Sequence, residues 1–260
     1  MTGVDVQDLR VSYGDTDVVH GTSFAVPPGG WLALVGPNGS GKSSALRAIC
    51  GLVPFRGAVR VAGQSVHAAS RRVLARKVAL VPQHPTLPPG MTVSIYVLLG
   101  RTPHLSFLAR ESAHDRGIAL RACERLGAEH LLDRDITSLS GGEQQLVVLA
   151  RAMTQQAPVL LLDEPTSALD LGHQQQVLGL IDRLRTTVGV TVVTALHDLT
   201  HAGQYADTVA LLDHGRLVAQ GSPAHVLTTH NIATHYGANV TVASDQDARV
   251  TVTMKRQVKN

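Results

Sequence analysis

The octapeptide Gly36-Pro37-Asn38-Gly39-Ser40-Gly41-Lys42-Ser43 lies between the apolar run Trp31-Leu32-Ala33-Leu34-Val35 and a helical pattern that runs from Ser44 to Ile49. A short apolar strand, a glycine-rich turn and a helix in that order point to a layered α/β chain, with the strand buried in a sheet and the helix packed back on it. Glycines at both ends of the turn let the backbone curl until successive N–H groups face one anion. The helix dipole adds positive partial charge, Lys42 a full charge and Ser43 a hydroxyl. These are the parts of a phosphate-binding loop. Its candidate nucleotide contacts are Gly36, Pro37, Asn38, Gly39, Ser40, Gly41, Lys42, Ser43 and Ser44, with Lys42 on the β- and γ-phosphates of ATP and Ser43 on Mg2+. A dinucleotide fold is excluded, because Gly39-Ser40-Gly41 is followed by Ser44 where that fingerprint needs its third glycine.

At 260 residues and 44% hydrophobic, the chain can bury a full core as one large domain or as one domain with an inserted lobe. No apolar run approaches the roughly 20 residues that span a bilayer, and Met1-Thr2-Gly3-Val4-Asp5 lacks the charged and apolar regions of a signal peptide. The expectation is a soluble cytosolic protein. A formal charge of +3 gives no indication of nucleic acid binding. Cys50 and Cys123 are far apart and form no CxxC, so both read as free thiols.

Periodicity divides the chain. Val4 to Val26 and Val59 to Val61 alternate as antiparallel strands do, whereas Thr92 to Ala128 carries helical spacing. Strands and helices then alternate: Val159 to Leu162, a helix from Gln174 to Arg185, Val190 to Ala195, Val209 to Leu212 and Leu217 to Ala219. Four-residue runs of Leu and Val between turns fit central parallel strands.

The run Val159-Leu160-Leu161-Leu162 ends in Asp163-Glu164-Pro165, so a buried strand delivers two carboxylates. Beside a phosphate loop, the first belongs with the metal and the second is the natural general base for water attack on the γ-phosphate. Two acids after a strand could alone be a helix cap. The pairing with Gly36–Ser43 argues against that reading.

Leu139-Ser140-Gly141-Gly142-Glu143-Gln144-Gln145 resembles the signature motif of ABC ATPases, the nucleotide-binding subunits of ABC transporters. The resemblance runs over nearly the whole chain. It implies a P-loop ABC ATPase core with an antiparallel β-lobe and an inserted helical lobe. It also implies adenine stacking by Tyr13, a Q-loop at Gln83 that senses Mg2+ and the attacking water, a D-loop in Ser167-Ala168-Leu169-Asp170, and a switch histidine at His197 on the γ-phosphate. Ser140, Gly141, Gly142 and Asp170 then meet the ATP held by a second subunit, in a head-to-tail homodimer. The signature suits that task physically, since a hydroxyl and backbone N–H groups stand at a helix start. Leu146 departs from the family, where many relatives carry arginine.

Thr92 to His104 resembles the matching stretch in ATPases of iron-siderophore, haem and cobalamin importers, Gly100-Arg101 and Pro103-His104 above all, as does Asp170-Leu171-Gly172-His173-Gln174. The partners this implies are a second ATPase subunit, transmembrane permease subunits and an extracytoplasmic substrate-binding protein, at the cytoplasmic face of the membrane. Residues 1–83 and 157–240 would form the core with its β-lobe, 84–156 the helical lobe and signature helix, and 241–260 a short extension without a large regulatory domain. Val97 to His104, Arg101 included, is expected at the permease-docking surface. An exporter ATPase and a non-transport ABC ATPase of the iron-sulfur assembly type stand as alternatives.

Other features read as ordinary. His197 and His201 are four apart but more consistent with a switch residue and a surface histidine than with a metal site. Arg71, Arg72, Arg76 and Lys77 read as a solvated helix face, His225, His230 and His235 as exposed, and Met254 to Asn260 as a frayed end.

Overall fold

The computed structural model describes residues 3–106, 109–167 and 169–256. Along the chain, β1 (Val4–Tyr13), β2 (Thr16–Val26) and β3 (Trp31–Val35) precede α1 (Lys42–Ile49). Next come β4 (Arg56–Val61), β5 (Gln64–Ser65), α2 (Arg71–Ala75), β6 (Val78–Val81), α3 (Val93–Leu98) and α4 (Ala113–Arg125), with a 3-10 segment at Leu99–His104. The second half runs through α5 (Gly141–Thr154), β7 (Val159–Asp163), α6 (Leu171–Val188), β8 (Thr191–Ala195), α7 (Leu199–Tyr205), β9 (Thr208–Asp213) and β10 (Arg216–Gly221). Two short helices, α8 (Pro223–Val226) and α9 (Thr229–Tyr236), lead to the hairpin β11 (Val240–Ser244) and β12 (Val250–Met254).

The central sheet has the order β10-β9-β3-β8-β7-β6, parallel from β9 to β6 with β10 antiparallel at the edge. Every residue of β3, β7 and β8 is buried. That explains their near-continuous Leu, Val and Ala runs, since both faces of a central parallel strand are covered. On one face, α1 and the antiparallel sheet β2-β1-β4-β5 enclose a core with Leu9, Phe24, Leu32, Leu46 and Ile49. On the other, α5 and α6 pack with α3 and α4 around Tyr96, Leu149, Leu162 and Ile181. Leu146 joins this second core, which accounts for an apolar residue at that point of the signature helix.

Four sequence expectations need correction. Arg101 is not a surface residue: it is buried, with Nε 2.9 Å from Asp115 Oδ1 and Nη1 donating to Thr154 O at 3.2 Å and Gln156 Oε1 at 2.9 Å. Its charge is satisfied by partners 14 to 55 residues further along, which local pattern cannot show. The basic strip on α2 is not merely solvated, because Arg72 Nε and Arg76 Nε donate to Pro103 O at 3.0 and 2.8 Å. Arg72 also bonds Leu105 O, so two of these cations hold the 3-10 segment to the core. His235 is half-buried, with Nδ1 2.9 Å from Asp213 Oδ2. The C-terminal stretch is paired as far as Met254, which faces Val240 in the β11–β12 register; residues 257–260 lie outside the described residues.

The two cysteines are free thiols, and burial pushes Cys50 up to about 12 and Cys123 up to about 11. Among the described residues, no helix is long and apolar enough to cross a membrane.

Candidate functional site

The parallel strands β3, β7 and β8 end side by side, and their C-terminal ends carry the site. The register Leu34↔Ala195 and Asp163↔Ala195 brings the phosphate loop, Asp163-Glu164 and His197 to one edge, where ligands bind in open α/β sheets. After β3, Gly36 turns with φ 151°, and a Cβ there would lie 2.0 Å from Leu212 O. Only glycine fits between the loop and the end of β9. Gly215 in the β9–β10 turn then donates its N–H to Ser40 O at 3.2 Å, supporting the loop from below.

Lys42 opens α1 and is buried. Its ammonium donates to Gly36 O at 2.8 Å and Pro37 O at 3.0 Å, so it lies folded along the loop. Burial pulls it below the usual lysine range, opposed by the negative charges of Glu164 and Asp163. Ser43 Oγ donates to Asp163 Oδ1 at 2.8 Å, which ties the loop to β7. The loop, Val18, Glu164 and His197 line a cleft of ≈ 150 Å³. Val18 carried no signal in the sequence, as an ordinary apolar position of an alternating strand.

Glu164 stands just beyond β7 with φ 52°, a left-handed conformation that costs a non-glycine residue energy and is found at sites where the surroundings hold it. Its amide donates to Ala195 O at 3.1 Å, and its side chain is 8% exposed. Gln83 Nε2 donates to one carboxylate oxygen, and His197 Nε2 contacts the other. Thus two residues, 81 and 33 positions from Glu164 in sequence, converge on one carboxylate, Gln83 from the segment after β6 and His197 from the segment after β8.

Tyr13 ends β1 and is 44% exposed, as a stacking platform requires. Ser140 caps α5: its hydroxyl accepts the Glu143 amide at 3.4 Å, and Glu143 Oε2 accepts the Ser140 amide at 2.7 Å. This reciprocal capping box, with Arg134 2.9 Å from Glu143, fixes the helix start and leaves Ser140 and Gly141 exposed. Asp170 caps α6 through His173 N at 2.9 Å. Of the D-loop, Ala168 lies outside the described residues. His197 and His201 do not share a helix face, since α7 begins only at Leu199 with Asp198 as its cap. Among the described residues, no group of three or more His, Cys, Asp or Glu is arranged to hold a metal.

At the loop Ser43 Oγ and Asp163 Oδ1 stand together, and Glu164 lines the same cleft. A hydroxyl and carboxylate oxygens so few in number fit Mg2+ shared with a phosphate rather than a metal held by protein alone.

A family profile described as ABC transporter matches residues 19–167, more than half of the chain. The cobalamin import ATP-binding protein BtuD of Halobacterium salinarum is 41% identical over 96% of this chain; the chain spans 63% of that relative's length. The hemin import ATP-binding protein HmuV of Pseudomonas entomophila is 41% identical, covering 92% of this chain and 94% of the relative. The iron(3+)-hydroxamate import ATP-binding protein FhuC of Bacillus subtilis is 37% identical over 88% and 85%. Among solved structures, a chain assigned to a metal-chelate type ABC transporter in an inward-facing conformation superimposes with a TM-score of 0.85 at 29% identity, covering 100% of this chain and 99% of its own. The dimeric ATP-binding cassette MJ0796 bound to ADP and Pi gives 0.74 at 26%, covering 85% and 98%. With the profile over more than half its length and such identities over most of it, this chain belongs to the ABC transporter family.

Proposed function

We propose that this chain is the ATP-hydrolysing subunit of an ABC importer for a metal chelate of the iron-siderophore, haem or cobalamin class. The observation that carries the hydrolytic part is the convergence of Gln83 and His197 on Glu164 beside the phosphate loop. The cargo class rests on what the relatives are named for.

The triphosphate binds along Gly36 to Ser44. Loop amides and Lys42 hold the β- and γ-phosphates, and the adenine stacks on Tyr13. Lys42 exchanges the Gly36 and Pro37 carbonyls for phosphate oxygens, which are stronger partners for an ammonium. Ser43 and Asp163, with Gln83, would hold Mg2+, which would neutralise phosphate charge. Glu164 takes the proton of the attacking water, and His197 donates toward the γ-phosphate as negative charge develops. With both oxygens of Glu164 engaged, one donor gives way before water can bind. His197 Nε2 does so as it turns to the γ-phosphate, and Gln83, on the other oxygen, leads into residues 84–156, the helical lobe that moves against the core formed by 1–83 and 157–240.

Two copies meet head to tail, each presenting Ser140, Gly141, Gly142 and Asp170 to the nucleotide of the other. ATP binding closes the pair and hydrolysis reopens it. Permease subunits in the membrane receive that motion, and an extracytoplasmic binding protein delivers the chelate. The chain sits at the cytoplasmic face and touches no cargo. The test is chelate-dependent uptake by vesicles carrying the chain with its permease partners. Uptake that requires ATP and intact Glu164 is expected; ATP hydrolysis with no uptake of any of the three chelate classes would overturn the importer reading.

A further inference from the structure

The stretch Asp170-Leu171-Gly172-His173-Gln174 contributes only Asp170 to the mechanism above, yet it sets an imidazole against the signature. His173 Nδ1 lies 2.9 Å from each carboxylate oxygen of Asp170, whose Oδ1 also accepts the His173 amide at 2.9 Å. The ring is thereby oriented by the residue that caps its own helix. Its other edge meets Gly142. A Cβ built at Gly142 would lie 2.6 Å from His173 Cδ2 and 2.9 Å from Nε2, so the imidazole takes the space of a side chain in the first turn of α5. Gly142 is buried there although Ser140 and Gly141 beside it are exposed.

The contact continues back to the hydrolytic carboxylate. Ser167 N and Oγ donate to Glu164 O at 3.3 and 3.2 Å, and Leu169 N donates to Thr166 O at 3.2 Å. Gln174 Nε2, in the first turn of α6, bonds Thr166 O at 3.1 Å and Leu169 O at 3.0 Å. The turn leaving Glu164 is therefore fastened to the start of α6, and α6 meets the start of α5 through His173.

We infer that His173 is a positioning residue that holds the signature at a set place relative to the turn leaving Glu164 of the same subunit. In a head-to-tail pair, the signature offered to one nucleotide then moves with the carboxylate that acts on the other. Displacement of the turn at one site is felt at the second through a side chain packed on a glycine, where there is no slack. The inference rests on the paired-ATPase reading above.

The experiment measures ATP turnover against ATP concentration for the full chain, together with ATP affinity below the dimerisation range and melting temperature. The variants are His173→Ala, which removes both contacts, and His173→Asn, which keeps a donor for Asp170 but withdraws the ring from Gly142. Both are expected to lower kcat by about tenfold to a hundredfold, the effect of displacing a group that orients a reacting centre, with ATP affinity within about twofold of wild type. The Hill coefficient for ATP should fall toward unity. Normal kcat and cooperativity in both variants would overturn the role, as would recovery in the Asn variant, which would leave only a helix cap. An equal loss of affinity or a lowered melting temperature in both would assign His173 to folding and overturn it too. A wild-type chain that hydrolyses no ATP defeats the functional reading itself; one that hydrolyses cooperatively alongside two unaffected variants defeats only the assignment to His173.

Discussion

Lys42 and Arg101 are two buried cations with opposite purposes. Lys42 is satisfied by backbone carbonyls that a phosphate can replace, whereas Arg101 is locked to Asp115, Thr154 and Gln156. Lys42→Ala is accordingly expected to weaken ATP binding at least tenfold, since a charged hydrogen-bond partner is worth roughly 1.5–3 kcal/mol, while leaving unfolding nearly unchanged; calorimetric titration and a urea melt check both. Arg101→Glu is expected to do the reverse of a surface substitution. It places two carboxylates together in a buried site, and breaking such a pair costs roughly 3–5 kcal/mol, so the isolated chain should lose stability and turnover together. The Ser112 hydroxyl, Arg101 and the Ser112 amide hold Asp115 well below the usual carboxylate range. A carboxyl whose folded value is depressed stabilises the fold fully above its ordinary value of 3.8 and loses that contribution as pH falls through the folded value. The stability gap between wild type and Asp115→Asn should thus be full at neutral pH and shrink only in strong acid. A gap independent of pH would remove the charge from the account.

At the scale of elements, legibility follows sequence distance. β3, the loop and α1 are contiguous, so a strand, a glycine turn and a helix could be read in one pass, and the Leu run of β7 announced its two carboxylates. The ends of elements drifted by a few residues: α6 extends to Val188, because Gly189 at φ 76° closes it, rather than stopping at Arg185. What could not be read are bonds that join distant segments. Pro103 O on Arg76, His104 Nε2 on Gln155 O at 2.9 Å, and Arg101 on α4 and the end of α5 make Leu99–His104 a joint to the rest of the chain, with Arg101 inside it and not at the surface as expected. Gly100 shows how tight that joint is, since a Cβ would lie 2.3 Å from Arg151 O. The α5 cap is a testable element of the same kind. Ser140→Ala removes one half of the capping box and should cost about 1 kcal/mol in denaturant unfolding. A loss of turnover beyond what that destabilisation explains would mark the hydroxyl as a phosphate ligand, and unchanged turnover would confine Ser140 to the cap.

For the whole molecule, one sheet edge gathers the glycine-rich loop, Asp163, Glu164 and His197 from the ends of three strands, and Ser140 to Gly142 stand on a different element, the start of α5. A subunit in which the signature faces a partner's nucleotide is incomplete alone. The family relationship and the likeness to a dimeric cassette bound to ADP and Pi support that geometry. Glu164→Gln tests it most directly, because the change keeps size and one acceptor oxygen while removing the base. The measurement is the mass in solution by light scattering, with Mg-ATP and with Mg-ADP, paired with phosphate release. The account predicts that Glu164→Gln binds ATP as wild type does, releases phosphate at least a thousandfold more slowly on the order of a lost general base acting with its partners, and runs at twice the chain mass only with ATP. A variant that stays at single-chain mass with ATP bound, or that turns over within about threefold of wild type, would contradict the assignment of Glu164 and the paired site together.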